Sequence, residues 1–208
     1  MPLIRKPVNR PADERPDSGE TLKSLSDADA NRRWRAARDA ADLDGGDAAL
    51  ATALLIEKDP RVREAMFTSL ARLGTPAAVE AIISRLRSDD AGLRSGALDA
   101  LRIMIPQIHD LLPRLLTDQD TDIRILSCEL ARSLESAEAS LLLCRVLDHD
   151  PEANVCAAAV EVLAEVGGPE AMVSLQNCAL KFGGSPFLSF AIKAVIDRLA
   201  SQIPPPRA

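Results

Sequence analysis

A short pattern returns along the middle of this chain in five copies, and its spacing constrains the fold more than any other feature. Asp59-Pro60-Arg61-Val62-Arg63-Glu64-Ala65 reappears as Asp90-Ala91-Gly92-Leu93-Arg94-Ser95-Gly96, as Asp120-Thr121-Asp122-Ile123-Arg124 and as Asp150-Pro151-Glu152-Ala153-Asn154. An earlier copy reads Asn31-Arg32-Arg33-Trp34-Arg35-Ala36-Ala37. This register predicts a column of Arg35, Arg63, Arg94, Arg124 and Asn154 at intervals of about 30 residues.

Each copy holds two helical patterns. The Asp stands where a helix start needs an acceptor for its free N–H groups, so Asp150 is expected to cap the fifth. Apolar residues follow at helical spacing, as in Val62, Met66, Leu70 and Leu73. A Gly or Pro break comes next, at Gly74-Thr75-Pro76, Pro106 and Gly167-Gly168-Pro169. The second stripe reads Val79, Ile82, Ile83, Leu86, then His109, Leu112, Pro113, Leu116, then Ala139, Leu142, Leu143, Val146. One such pair cannot bury both of its apolar faces, so the pairs must stack on each other. The expected fold is all-α: an α-solenoid of about five helix pairs within residues 23–200, closed by a capping helix near 186–200. Residues 1–22 carry Pro2, Pro7, Pro11 and Pro16 among charges, and 201–208 carry Pro204, Pro205 and Pro206, so both ends read as disordered tails.

Composition agrees and removes several functions. Apolar residues are 47% of the chain but aromatics only 2%, against a sheet protein. A net charge of −6 with so few aromatics offers little to phosphates and little to stack on bases, so no nucleic-acid partner is expected. The longest apolar run is far below the ~18 residues of a membrane span, and the first residues do not read as a leader, so no membrane association is expected either. Cys128, Cys144, Cys156 and Cys178 lie singly in helical patterns without a CxxC pair, as thiols in a cytoplasmic protein do.

These residues resemble HEAT repeats of the short, roughly 30-residue type found in phycobilisome lyases and many bacterial adaptor proteins. The D-x-x-[apolar]-R-x-x-A signature and the later G-x-P turn carry the likeness. It implies an interaction scaffold whose Asp and Arg residues tie one repeat to the next and whose second helices line a concave binding face. Asn154 in place of Arg, and Pro113 inside a second helix, depart from the pattern towards the C-terminal half.

Most chemistry-bearing residues have a structural explanation. The arginine column reads as fold-stabilising pairs rather than an anion ladder. Asp148-His149-Asp150-Pro151-Glu152 lies in a turn where adjacent side chains diverge, so no metal site is expected. His109 falls in a packing column, and Trp34 falls in the apolar column of Val62, Leu93 and Ile123. Deoxyhypusine hydroxylases hold iron with His-Glu pairs, which this chain lacks, and HEAT-like alkylpurine DNA glycosylases use a basic groove that its acidic balance disfavours. Cys128, Cys156 and Cys178 fall on apolar faces. Cys144 falls on the polar face without a basic or His neighbour, leaving its reactivity open.

The polar faces of the second helices remain. By register they present Glu80, Ser84, Arg87; Asp110, Arg114, Thr117; Ser140, Cys144, Leu147; and Val173, Asn177, Leu180. This stripe is the expected protein-binding surface, with Arg87 and Arg114 supplying charge and Leu147 and Leu180 an apolar anchor. Packing of Leu147 and Leu180 against the next repeat is the competing assignment. Arg5, Lys6, Arg10 and Arg15 give the first tail a basic character. The reading is a non-catalytic adaptor without cofactor or metal, acting as a monomer or in a heteromeric complex with a protein partner. The resemblance leaves one alternative, a bilin-lyase-like or cofactor-handling protein working with a second subunit.

Overall fold

The computed structural model describes residues 18–201, with no strand among the described residues. Two compact units divide the chain at residues 82 and 83, inside one helix. In the first, α1 (Ser18–Lys23) precedes two helix pairs: α2 (Ala30–Asp39) with α3 (Gly46–Leu54), and α4 (Pro60–Leu73) with α5 (Pro76–Arg85). Helix α1 starts inside the stretch read as a tail. Residues 1–17, with Arg5, Lys6, Arg10 and Arg15, and residues 202–208 lie outside the described residues.

Helix α4 shows how the sequence sets an element. The Asp59 carboxylate accepts from the Arg61 and Val62 N–H groups, and Pro60 has no N–H to leave unpaired. Gly74 ends the helix at φ 61°, a left-handed conformation that glycine adopts without a Cβ penalty. Val62, Met66 and Leu70 are fully buried as α4 packs against α2 and α3.

The second unit continues with α6 (Ala91–Ile103) and then a broken partner: α7 (Ile105–Ile108), a 3-10 turn at His109–Leu111, and α8 (Leu112–Leu115). Pro106 and Pro113 sit in the first turns of α7 and α8, where proline is tolerated, so Pro113 opens a short helix rather than interrupting a long one. Two regular pairs follow, α9 (Thr121–Ala131) with α10 (Ser136–His149) and α11 (Ala153–Val166) with α12 (Met172–Lys181). α13 (Pro186–Ser201) closes the unit, burying Leu188, Ile192, Val195 and Leu199 against α11 and α12. Its Arg198 donates to the carbonyls of Leu163, which also accepts the Gly167 N–H, and of Gly167, just past the end of α11. The architecture is the helix-pair stack of an α-solenoid.

The turns between repeats correct the sequence register. In each, a cap residue donates its N–H to a side chain two positions earlier: Asp29 to Asp27, Asp59 to Glu57, Asp90 to Ser88, Asp120 to Asp118 and Glu152 to Asp150. The carbonyls of Asp27, Glu57, Ser88 and Asp118 then accept from Arg33, Arg63, Arg94 and Arg124 at 2.8, 2.7, 2.6 and 2.9 Å. The column therefore begins at Arg33, not Arg35, and its fifth member is Cys156, not Asn154. Cys156 Sγ lies 3.8 Å from the Asp150 carbonyl, where Lys181 Nζ supplies the missing cation at 2.6 Å. Asp150 is not the fifth cap, because Pro151 lies between it and the cap residue Glu152. Matching Asp150-Pro151 to Asp59-Pro60 causes the slip.

Two further residues move. Trp34 is half-buried and flanked by the guanidinium groups of Arg38 and Arg61, 4.7 and 5.9 Å from its ring, rather than filling the column of Val62. His109 is exposed on the 3-10 turn, not packed in a core column.

Candidate protein-binding surface

The second helices of the C-terminal unit set α8 beside α10. Between them lies a cleft of about 610 Å³ with walls from Pro113, Leu116, Leu142, Val146 and Pro151. The broken helix shapes one wall, since α8 is a single turn stiffened at its start by Pro113.

A buried ion pair, Arg124 with Asp150, forms the floor. Arg124 Nε and Nη2 reach the two Asp150 carboxylate oxygens at 2.6 and 3.3 Å, and Nη1 holds the Asp118 carbonyl. Both side chains are nearly inaccessible, so each charge depends on the other. Asp118 stands beside them. Burial pushes its carboxyl up, but the Asp120 N–H and the Arg87 guanidinium at 2.6 Å outweigh this and hold it below the ordinary carboxylate range.

The expected site residues divide into groups. Glu80 is exposed on α5, in the N-terminal unit. In the C-terminal unit Ser84, Asp110, Arg114, Thr117, Asn177 and Leu180 are exposed, with Leu180 84% accessible. Arg87 is also exposed but committed to Asp118 and Asp120. It rings a polar hollow of about 700 Å³ together with Arg114, Thr117 and Gln119. Ser140 and Leu147 are fully buried, so they do not belong to a surface. Ser140 accepts the Gly168 N–H at 3.0 Å, tying α10 to the next turn. Leu147 is core, the competing assignment, whereas Leu180 is not. Cys144 is half-buried, and burial pushes its thiol up, away from the reactive thiolate.

Sequence reasoning missed the exposed stripe of α10. It runs through Leu141, Arg145 and Asp148, one residue on from Ser140, Cys144 and Leu147. Arg145 lines the cleft, and neither it nor Arg114 has an ion-pair partner among the described residues. His149, one turn after Arg145, also lines the cleft, with its Nδ1 2.9 Å from the Arg145 carbonyl oxygen. Among the described residues no group of three or more His, Cys, Asp or Glu side chains is placed to hold a metal. Burial pushes the Cys128 thiol up to about 12.

Comparison with known proteins agrees with this architecture. The HEAT repeats family model matches residues 20–102. The crystal structure of Cex1p is 15% identical with a TM-score of 0.54, over 89% of this chain and 42% of that one. An archaeal HEAT-like repeats protein from Thermococcus onnurineus NA1 is 16% identical with a TM-score of 0.49, over 88% and 87% of the two chains. The complex of CpcE and CpcF of phycocyanin lyase from Nostoc sp. PCC7120 is 15% identical with a TM-score of 0.38, over 94% and 100%. No curated protein matches in sequence. The fold is an α-solenoid of stacked helix pairs, and residues 20–102 match the HEAT repeats family model.

Proposed function

We propose that this chain is a non-catalytic interaction scaffold whose C-terminal unit holds a protein partner on the face of α8, α10 and α12. The observation that carries the reading is Arg114 and Arg145, two exposed and unpaired cations beside an apolar cleft in a chain of net charge −6. Isolated charges at the edge of apolar walls suit recognition, where complementary potential steers a partner and excluded water strengthens the contact. Leu141 and Leu180, 54% and 84% exposed, extend the apolar contact along the same helices. A cytoplasmic setting belongs to the same proposal, on the ground that all four cysteines stand as free thiols. No helix of the described residues is long and apolar enough to cross a membrane.

Capture of partners from the native cell extract, followed by native mass spectrometry, tests the proposal. The wild-type chain should retain a protein at fixed stoichiometry, and the Arg114→Glu/Arg145→Glu variant should lose it with its circular dichroism unchanged. Retention by the folded variant contradicts the reading, as does a visible absorbance band on the purified chain, the mark of a chromophore-handling protein.

A further inference from the structure

The cleft between α8 and α10 restricts what the partner offers. Its volume of about 610 Å³ is within the ~300–1,000 Å³ of sites that enclose a ligand group. Its walls are the side chains of Leu116, Leu142 and Val146, with Pro113 and Pro151 at the rim. These offer almost no hydrogen bonds. Thr117, the hydroxyl on the α8 side, already donates to the carbonyls of Pro113 and Arg114. An occupant must therefore bring apolar side chains to the walls.

The charges around the cleft are mostly spent. Arg124 is neutralised by Asp150, and Asp118 by Arg87. Asp148, further along α10 and outside the cleft lining, accepts from the Ser174 hydroxyl at 3.1 Å and keeps its negative charge. Two cations beside the cleft have no ion-pair partner among the described residues: Arg145 on one wall and Arg114 beside the other. A cation left unpaired next to a low-dielectric wall gains more from an incoming carboxylate than an exposed one does.

We infer that the cleft between α8 and α10 binds an extended peptide segment of the partner in which apolar side chains alternate with Asp or Glu, the apolar groups entering between Leu116, Leu142 and Val146 and the carboxylates meeting Arg145 and Arg114. The inference rests on the scaffold reading and adds the chemistry of the bound segment.

The probe is a library of random twelve-residue peptides displayed on phage and selected on the immobilised full-length chain. The recovered pool should be enriched several-fold in segments combining Leu, Ile, Val or Phe with Asp or Glu. A fluorescently labelled member should bind the chain at least tenfold more weakly after Arg145→Glu, with a further loss after Arg114→Glu. Both residues are exposed, so both variants fold, and Arg61→Glu in the N-terminal unit should leave binding unchanged. Replacing Asp and Glu in the peptide by Asn and Gln, and separately its apolar residues by Ser, should each weaken binding tenfold or more. A pool without acidic enrichment, no recovered peptide, binding unmoved by Arg145→Glu, or a free carboxylate such as glutarate competing as well as the peptide overturns the inference. If partner capture is nevertheless lost in the double variant, the scaffold reading stands and only the bound chemistry is wrong.

Discussion

At the scale of single residues, the Arg column acts in the turns. Arg33 reaches Glu57 at 2.6 and 3.0 Å and Arg124 reaches Asp150, so each links its own turn to the acid of the next. Arg124→Ala leaves Asp150 buried without its counter-charge and should cost about 3–5 kcal/mol, read as a lower midpoint in urea. Arg35→Ala, at the exposed position that the raw spacing favours, should stay within about 0.5 kcal/mol. His109 lies between two carboxylates, Asp110 and Glu138, whose hydrogen bonds raise its pKa above the ordinary 6.5. A raised folded value makes this contribution fully present below about 6.5, the unfolded value, and lost as pH rises through the folded one. NMR titration of the His109 ring should show a midpoint above 6.5, and Glu138→Gln should bring it down.

At the scale of elements, caps explain which boundaries hold. Asp59 and Asp120 accept N–H groups of the helices they open, whereas Glu152 makes no such bond. Asp59→Ala and Asp120→Ala should each lower stability by about 1 kcal/mol, and Glu152→Ala should have little effect, compared by thermal melting. Helix pairs bounded by Asp and by Gly or Pro were readable from sequence because those residues have local chemistry. In α10 the buried stripe of Ala139, Leu142, Leu143 and Val146 was readable but the exposed face was not, since the helix starts at Ser136 without a Gly or Pro before it and then runs through Leu141-Leu142-Leu143. Apolar residues in succession do not say which one faces out, and an error of one position turns the face by about 100°. That is why Ser140, Cys144 and Leu147 were expected where Leu141, Arg145 and Asp148 stand.

At the scale of the whole molecule, repetition made the architecture legible: five pairs and a capping helix follow from a pattern that no single pair can satisfy alone. The candidate surface was only half legible. Arg114, Thr117 and Leu180 are where the register put them, but Arg87 is tied to Asp118 by a contact over about one repeat that no local pattern encodes. A recognition surface held by unpaired arginines should lose affinity as salt rises, and titration of the complex between 50 and 500 mM salt should show a steep fall that Arg145→Glu flattens. Hydrogen exchange on the captured complex tests the central claim most directly. We expect slowed exchange in residues 112–117 and 141–149, with α9, α11 and α13 unchanged. Protection confined to the first helices, or none at all in the C-terminal unit, would contradict a partner held on the second-helix face.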